Sequence, residues 1–208
     1  MRPIALVLLA LSPAAAETSL WKLLQGVEQR YNRARTLQVL FEQSYSAGSR
    51  GRRTESGELF LRKPGRMRWN YSSPPGKLFV SDGKDIYFYS PSTNRVEKMK
   101  LKESDDLRAP LAFLLGRLDF KRDFGEFQVR AETEGQWITA LPKSDRLPYR
   151  QVEFLVTPAF EIRRLRVAGQ DNSVLEFRFA GERVNPPLSD TLFKFQAPPG
   201  AEVVEAVP

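Results

Sequence analysis

Between Gly57 and Pro91 the chain can hardly be anything but a run of β-hairpins. It reads GELFLRKPGRMRWNY over 57–71, then a Pro/Gly/Ser loop, then LFVSDGKDIYFYSP over 78–91. Apolar and aromatic residues alternate with polar ones, the period of a half-buried strand. Pro64-Gly65 interrupts the first run, since Pro presets φ and Gly tolerates positive φ. Asp82-Gly83 interrupts the second, a strong hairpin signal between alternating strands. Four antiparallel strands are predicted, over 57–63, 66–71, 77–81 and 85–90. In the second, Met67, Trp69 and Tyr71 share one face, and Arg66, Arg68 and Asn70 the other. The aromatic face is either an ordinary sheet core or a concave surface that receives an apolar ligand.

The flanking chain extends this pattern. Over 18–35, Leu20, Leu23, Leu24, Val27, Tyr31 and Ala34 recur at spacings of three and four, the apolar stripe of an amphipathic helix. That stripe must lie on something apolar, and a sheet face is available. From Leu37 the period becomes two, Leu37, Val39, Phe41 and Tyr45 alternating with Gln38, Glu42 and Ser44. Residues 46–53 (SAGSRGRR) read as a hairpin loop, either a solvated turn or a patch that attracts anionic lipid. Further strands are expected near 95–102, 126–132, 136–141, 149–157, 160–168 and 173–180, with a last one at Phe193-Lys194-Phe195. Residues 111–115 (LAFLL) are apolar on every side, predicting a short helix that is buried or covers something. The sum is one mainly β domain of about eleven strands with a few helices.

Residues 1–16 carry Arg2, an apolar run from Ile4 to Leu11 and Ala14-Ala15-Ala16 before Glu17, the pattern of a cleaved secretory signal. Residues 17–208 are then the mature single domain. A retained anchor is the alternative, but the run falls short of the ~20 residues of a spanning helix. A net charge of +7 permits nucleic acid or anionic lipid as partner, and export argues against nucleic acid. With neither His nor Cys, the chain lacks a Ser-His-Asp triad, a Cys-His pair, a His-based zinc site and an acylated Cys of its own. It has no Gly-rich phosphate loop, and no carboxylate pair stands out by spacing. An enzyme is not expected. A strand-rich shell with inward aromatics fits a container for an apolar ligand.

The order of these elements resembles the LolA family of periplasmic lipoprotein carriers. The resemblance rests on Lys63-Pro64 closing a strand, the Met67-x-Trp69 strand, Val80-Ser81-Asp82-Gly83-Lys84, and Tyr87-Phe88-Tyr89 before Pro91. Phe41-Glu42-Gln43, Leu141-Pro142-Lys143, the Pro110-Leu111 helix and the closing Phe193-x-Phe195-x-x-Pro198-x-Gly200-x-x-Val203 add to it. It implies an incompletely closed, half-open barrel of about eleven antiparallel strands under a helical lid. It also implies a monomeric periplasmic chaperone for acylated lipoproteins. Such a carrier accepts them from an inner-membrane ATP-driven releasing complex and passes them to an outer-membrane receptor lipoprotein of the LolB kind. No cofactor is implied. The resemblance makes Leu37, Met67, Trp69, Tyr71, Phe79 and Tyr87 the expected lipid-binding cavity, with Leu111, Phe113 and Leu114 on the lid. Lys63 occupies the position of the family's lid latch, commonly Arg; an ammonium is a point charge, where Arg offers a planar fork of donors. The rival reading is an envelope sensor that binds lipidated proteins without delivering them.

Overall fold

The computed structural model describes residues 13–47, 50–101, 118–145 and 147–205. A long helix, α1 (Pro13–Arg33), is followed by β1 (Thr36–Ala47), β2 (Arg50–Arg62), β3 (Arg66–Ser73), β4 (Leu78–Asp82), β5 (Asp85–Ser90) and β6 (Arg95–Lys100). A one-turn helix, α2 (Phe120–Asp123), then leads into β7 (Phe124–Glu132), β8 (Gly135–Pro142), β9 (Tyr149–Val156), β10 (Ile162–Gly169) and β11 (Val174–Val184). A 3₁₀ turn (Asp190–Phe193) precedes β12 (Glu202–Glu205). All twelve strands form one sheet in the order β12-β6-β5-β4-β3-β2-β1-β11-β10-β9-β8-β7. Two antiparallel meanders meet where β11 returns to β1, with Phe41 opposite Phe179 and Gln43 opposite Phe177. The mainly β, incompletely closed sheet expected from the sequence is present, with twelve strands among the described residues where about eleven were expected.

The extra strand comes from the C-terminal segment, where β12 pairs in parallel with β6. The strand expected at 193–195 is replaced by the 3₁₀ turn and an irregular strap. This strap crosses the convex face of β2–β4. Arg62 donates to Asp190 and to the Leu188 carbonyl. Arg66 reaches Asp190 at 3.1 Å, and Arg68 donates to the Leu192 carbonyl at 3.2 Å. Phe193 is 1% exposed beneath the Arg62 guanidinium, 5.4 Å from its ring centre. Phe60 and Val80, outward by strand parity, are buried as well. A second correction concerns 46–53. Strand β2 begins at Arg50, so most of the basic stretch is strand, with Arg53 opposite Tyr45 and Arg52 2.7 Å from Glu176. Alternating charge on an exposed strand face mimics a polar loop when no apolar residue marks the other face.

The main core lies on the concave side. Val39, Phe41, Leu59 and Leu61 from β1–β2 meet Ile138, Phe154, Leu165 and Phe177 from the second meander. Helix α1 covers them with Leu24, Val27 and Tyr31, the stripe that the spacing predicted. Each such side chain, fully buried, contributes about 1.5–3 kcal/mol. The helix approaches the β9–β10 turn so closely that a Cβ on Gly26 would lie 2.3 Å from the Phe160 ring. Only glycine permits that approach without a shift of the ring.

Candidate functional site

Of the expected cavity residues, Leu37, Met67, Trp69, Tyr71 and Phe79 all lie buried on the concave face. Parity places them there: Trp69 is opposite Leu59 on one side and Phe79 on the other. The Trp69 ring is the hub, its centroid 4.8 Å from Phe41, 5.7 Å from Phe177 and 6.4 Å from both Tyr71 and Phe79. Tyr87 does not join them. It pairs with outward-facing Val80, and its ring stacks on Phe195 of the strap, 4.8 Å between centroids. Ile86 and Phe88 turn inward in its place. Every residue from Ile86 to Tyr89 is apolar or aromatic, so alternation alone does not tell the faces apart. Leu111, Phe113 and Leu114 lie outside the described residues.

A polar group that sequence reasoning missed borders this face. Lys77 sits 4.4 Å above the Tyr71 ring and 5.1 Å from that of Phe88, and its ammonium contacts both Glu55 carboxylate oxygens at 2.6 Å. Glu55 also accepts from Gln43 Nε2 at 2.7 Å. The available signal was the parity of Gln43, two residues beyond Phe41 in the inward series.

Helix α1 is fastened over the concavity by a short set of polar contacts. The Tyr31 hydroxyl donates to Glu182 at 2.7 Å and accepts from the Ile162 N–H at 2.9 Å. Burial, and then the neighbouring Glu182 carboxylate, push the Tyr31 pKa far above the ordinary phenol value. Arg30 clamps the same carboxylate, its Nε at 2.8 Å. Asn32 exchanges two hydrogen bonds with the Leu118 backbone, at 2.8 and 2.7 Å, and Glu28 accepts from the Phe120 N–H at 2.7 Å. These contacts tie the helix to the chain just after residues 102–117.

Lys63 completes the set, with one difference from expectation. Its ammonium donates to the Tyr31 and Asn32 carbonyls, in the last turn of α1. The described contact is therefore with the long first helix; the expected lid helix near 111–115 lies outside the described residues. Desolvation lowers the Lys63 pKa from its ordinary value. Beneath α1, two voids of about 10 Å³ each are bordered by Leu37 and Leu61 and by Val39, Leu59 and Phe179. Each is about large enough for one water. Neither has room for a larger guest unless α1 shifts.

Residues 32–196 match the family described as "Outer membrane lipoprotein carrier protein LolA". The chain belongs to the LolA family. Among its curated relatives, a protein of Nitrosospira multiformis is 30% identical over 172 residues, 82% of this chain and 83% of the relative. One of Nitrosomonas europaea is 28% identical over 174 residues, 83% of this chain and 84% of the relative. Both are called "Outer-membrane lipoprotein carrier protein". Among solved structures, an uncharacterized conserved protein of Thermus thermophilus superposes with a TM-score of 0.55 at 13% identity, covering 90% of this chain and 99% of that one. MucB does so with 0.51 at 13% identity, covering 89% of this chain and 65% of that one. At such identities these two likenesses show a shared fold alone. No helix among the described residues is long and apolar enough to cross a membrane.

Proposed function

We propose that this LolA-family chain is a periplasmic carrier that shelters the acyl chains of lipoproteins between two membranes. The observation that carries the reading is the concave aromatic face around Trp69, covered by a helix that a handful of polar contacts hold in place. A surface of that kind gives acyl chains a dry place once the helix moves. Each methylene removed from water contributes about 0.8 kcal/mol, so two or three chains supply ample driving force. Release is then the harder step, and a cover that closes on the empty face assists it by competing with the cargo. The names of the curated relatives support the same reading.

In this reading residues 1–16 are a cleaved export signal and residues 17–208 work as a monomer. Cargo comes from an inner-membrane ATP-driven releasing complex and goes to a LolB-like outer-membrane receptor. Carriage itself calls for no catalytic group and no cofactor. Leu37, Met67, Trp69, Tyr71 and Phe79 contact the chains, together with Leu111, Phe113 and Leu114, and Lys63 biases the cover toward closure. Mass spectrometry of the protein purified from the periplasm tests this: co-purified triacylated lipoprotein is the expected result. Empty protein, with normal lipoprotein sorting after loss of the gene, would instead fit a sensor that binds lipidated proteins without delivering them.

A further inference from the structure

Trp69 is 2% exposed, and its indole Nε1–H has no hydrogen-bond partner among the described residues. Gln43 is 8% exposed, and its Oε1 likewise accepts nothing there. The orientation of that amide is dictated by its neighbour. A carboxylate only accepts, so Glu55 requires the Gln43 NH₂ toward itself, at 2.7 Å. Lys77 in turn holds Glu55, at 2.6 Å to each oxygen. Gln43 is thereby set to present an acceptor. The two groups border the same ring: Trp69 lies 5.7 Å from Phe177, and Gln43 is the cross-strand partner of Phe177.

An unpaired buried donor or acceptor is destabilising, and apolar substitutes of similar shape exist for both residues. Trp could be Phe, and Gln could be Met, with no loss of grease. A few placed polar groups in a mainly apolar pocket are what orient a ligand. A hydrocarbon chain offers them nothing, but the linkages at its end do. An ester carbonyl accepts a hydrogen bond, and the N–H of an N-acyl amide donates one.

We propose that Trp69 Nε1–H donates to an acyl ester carbonyl and that Gln43 Oε1 accepts from the N–H of an N-acyl amide. The concave face thus recognises the linkage chemistry of a triacylated amino terminus as well as its chains. This deepens the carrier reading and rests on it. Ordinary diacyl phospholipid has carbonyls but no such N–H, and so makes at most half of the polar contacts. That difference biases the site toward the N-acylated terminus by the strength of one hydrogen bond.

Three synthetic lipopeptide probes test this with the full mature protein. The first carries two ester-linked chains and one N-acyl chain. The second replaces both esters by ethers. The third replaces the N-acyl amide by an ester, removing only the N–H. The parent should bind the second and third about three- to tenfold more weakly than the first, the size of one net hydrogen bond. Trp69→Phe should abolish the ester–ether difference and keep the amide–ester one; Gln43→Met should do the reverse. Equal binding of all three probes by the parent overturns the proposal without any variant. A uniform loss across the probes in both variants overturns it too, since it reveals packing alone. A parent that binds none of the three removes the carrier reading itself, a result distinct from equal binding.

Discussion

Among the described residues Lys63 meets no carboxylate; its ammonium serves two carbonyls at the end of α1. A cation at a helix C-terminus contributes about 0.3–1 kcal/mol when exposed and up to about 2 when partly buried. Lys63→Leu should change stability in urea by less than about 1 kcal/mol, because desolvation of the ammonium offsets its two carbonyl contacts. It should also weaken closure, so that a loaded variant delivers lipoprotein to receptor-bearing membranes more slowly than the parent. Equal or faster delivery would remove Lys63 from the latch. Tyr31 gives a pH test. Above about pH 10 the phenol ionises in the unfolded chain, while the folded protein keeps its proton. The folded state then binds more protons, and stability falls as pH rises. Tyr31→Phe leaves the Ile162 N–H unpaired and costs about 1–3 kcal/mol at neutral pH. Urea curves from pH 8 to 11 should show the gap between parent and variant shrinking; a constant gap would exclude the buried phenol as its source. The lowered Lys63 pKa acts in the opposite direction but is common to both proteins. At this scale the sequence was legible where alternation was strict, as in Met67-x-Trp69-x-Tyr71. It was illegible across Ile86–Tyr89, where either parity satisfies the pattern and only pairing with Val80 and Phe79 decides.

At the scale of elements, α1 was legible because its stripe has a period that no strand shares, and its end lies within two residues of the expectation. What the stripe leaves unsaid is how tightly the helix is seated. Gly26 answers part of that. Gly26→Val would drive two methyl groups toward the Phe160 ring, and overpacking of this kind costs about 1–3 kcal/mol. The predicted result is local: hydrogen exchange should quicken along α1 while β9 and β10 stay protected. Protection lost evenly through the sheet would mean that α1 is part of the global core and not a separable cover. The strap over 186–196 was illegible for the opposite reason. Phe193-x-Phe195 alternates like a strand, yet Phe193 is held against the convex face by side chains of β2 and β3 far away in sequence.

At the scale of the molecule, the two faces of the sheet do different work. Phe193→Ala should cost about 3–5 kcal/mol, because the ring is fully buried against the convex face. Lipopeptide affinity per folded molecule should be unchanged, since the concave face is untouched; denaturation and binding titrations together separate the two. A parallel fall in affinity would show that the faces are coupled. The general architecture was legible because hairpin turns such as Asp82-Gly83 punctuate the chain, and the number of strands was not, because β12 forms in parallel with a strand about a hundred residues earlier. One feature of the sheet sets how it can deform. Its order begins at β12 and ends at β7, with no ladder joining those edges among the described residues. A closed ring has a fixed circumference and yields only by tearing backbone hydrogen bonds. A sheet whose edges are not joined has no such constraint, and a change in strand twist can part its edges while every ladder stays intact.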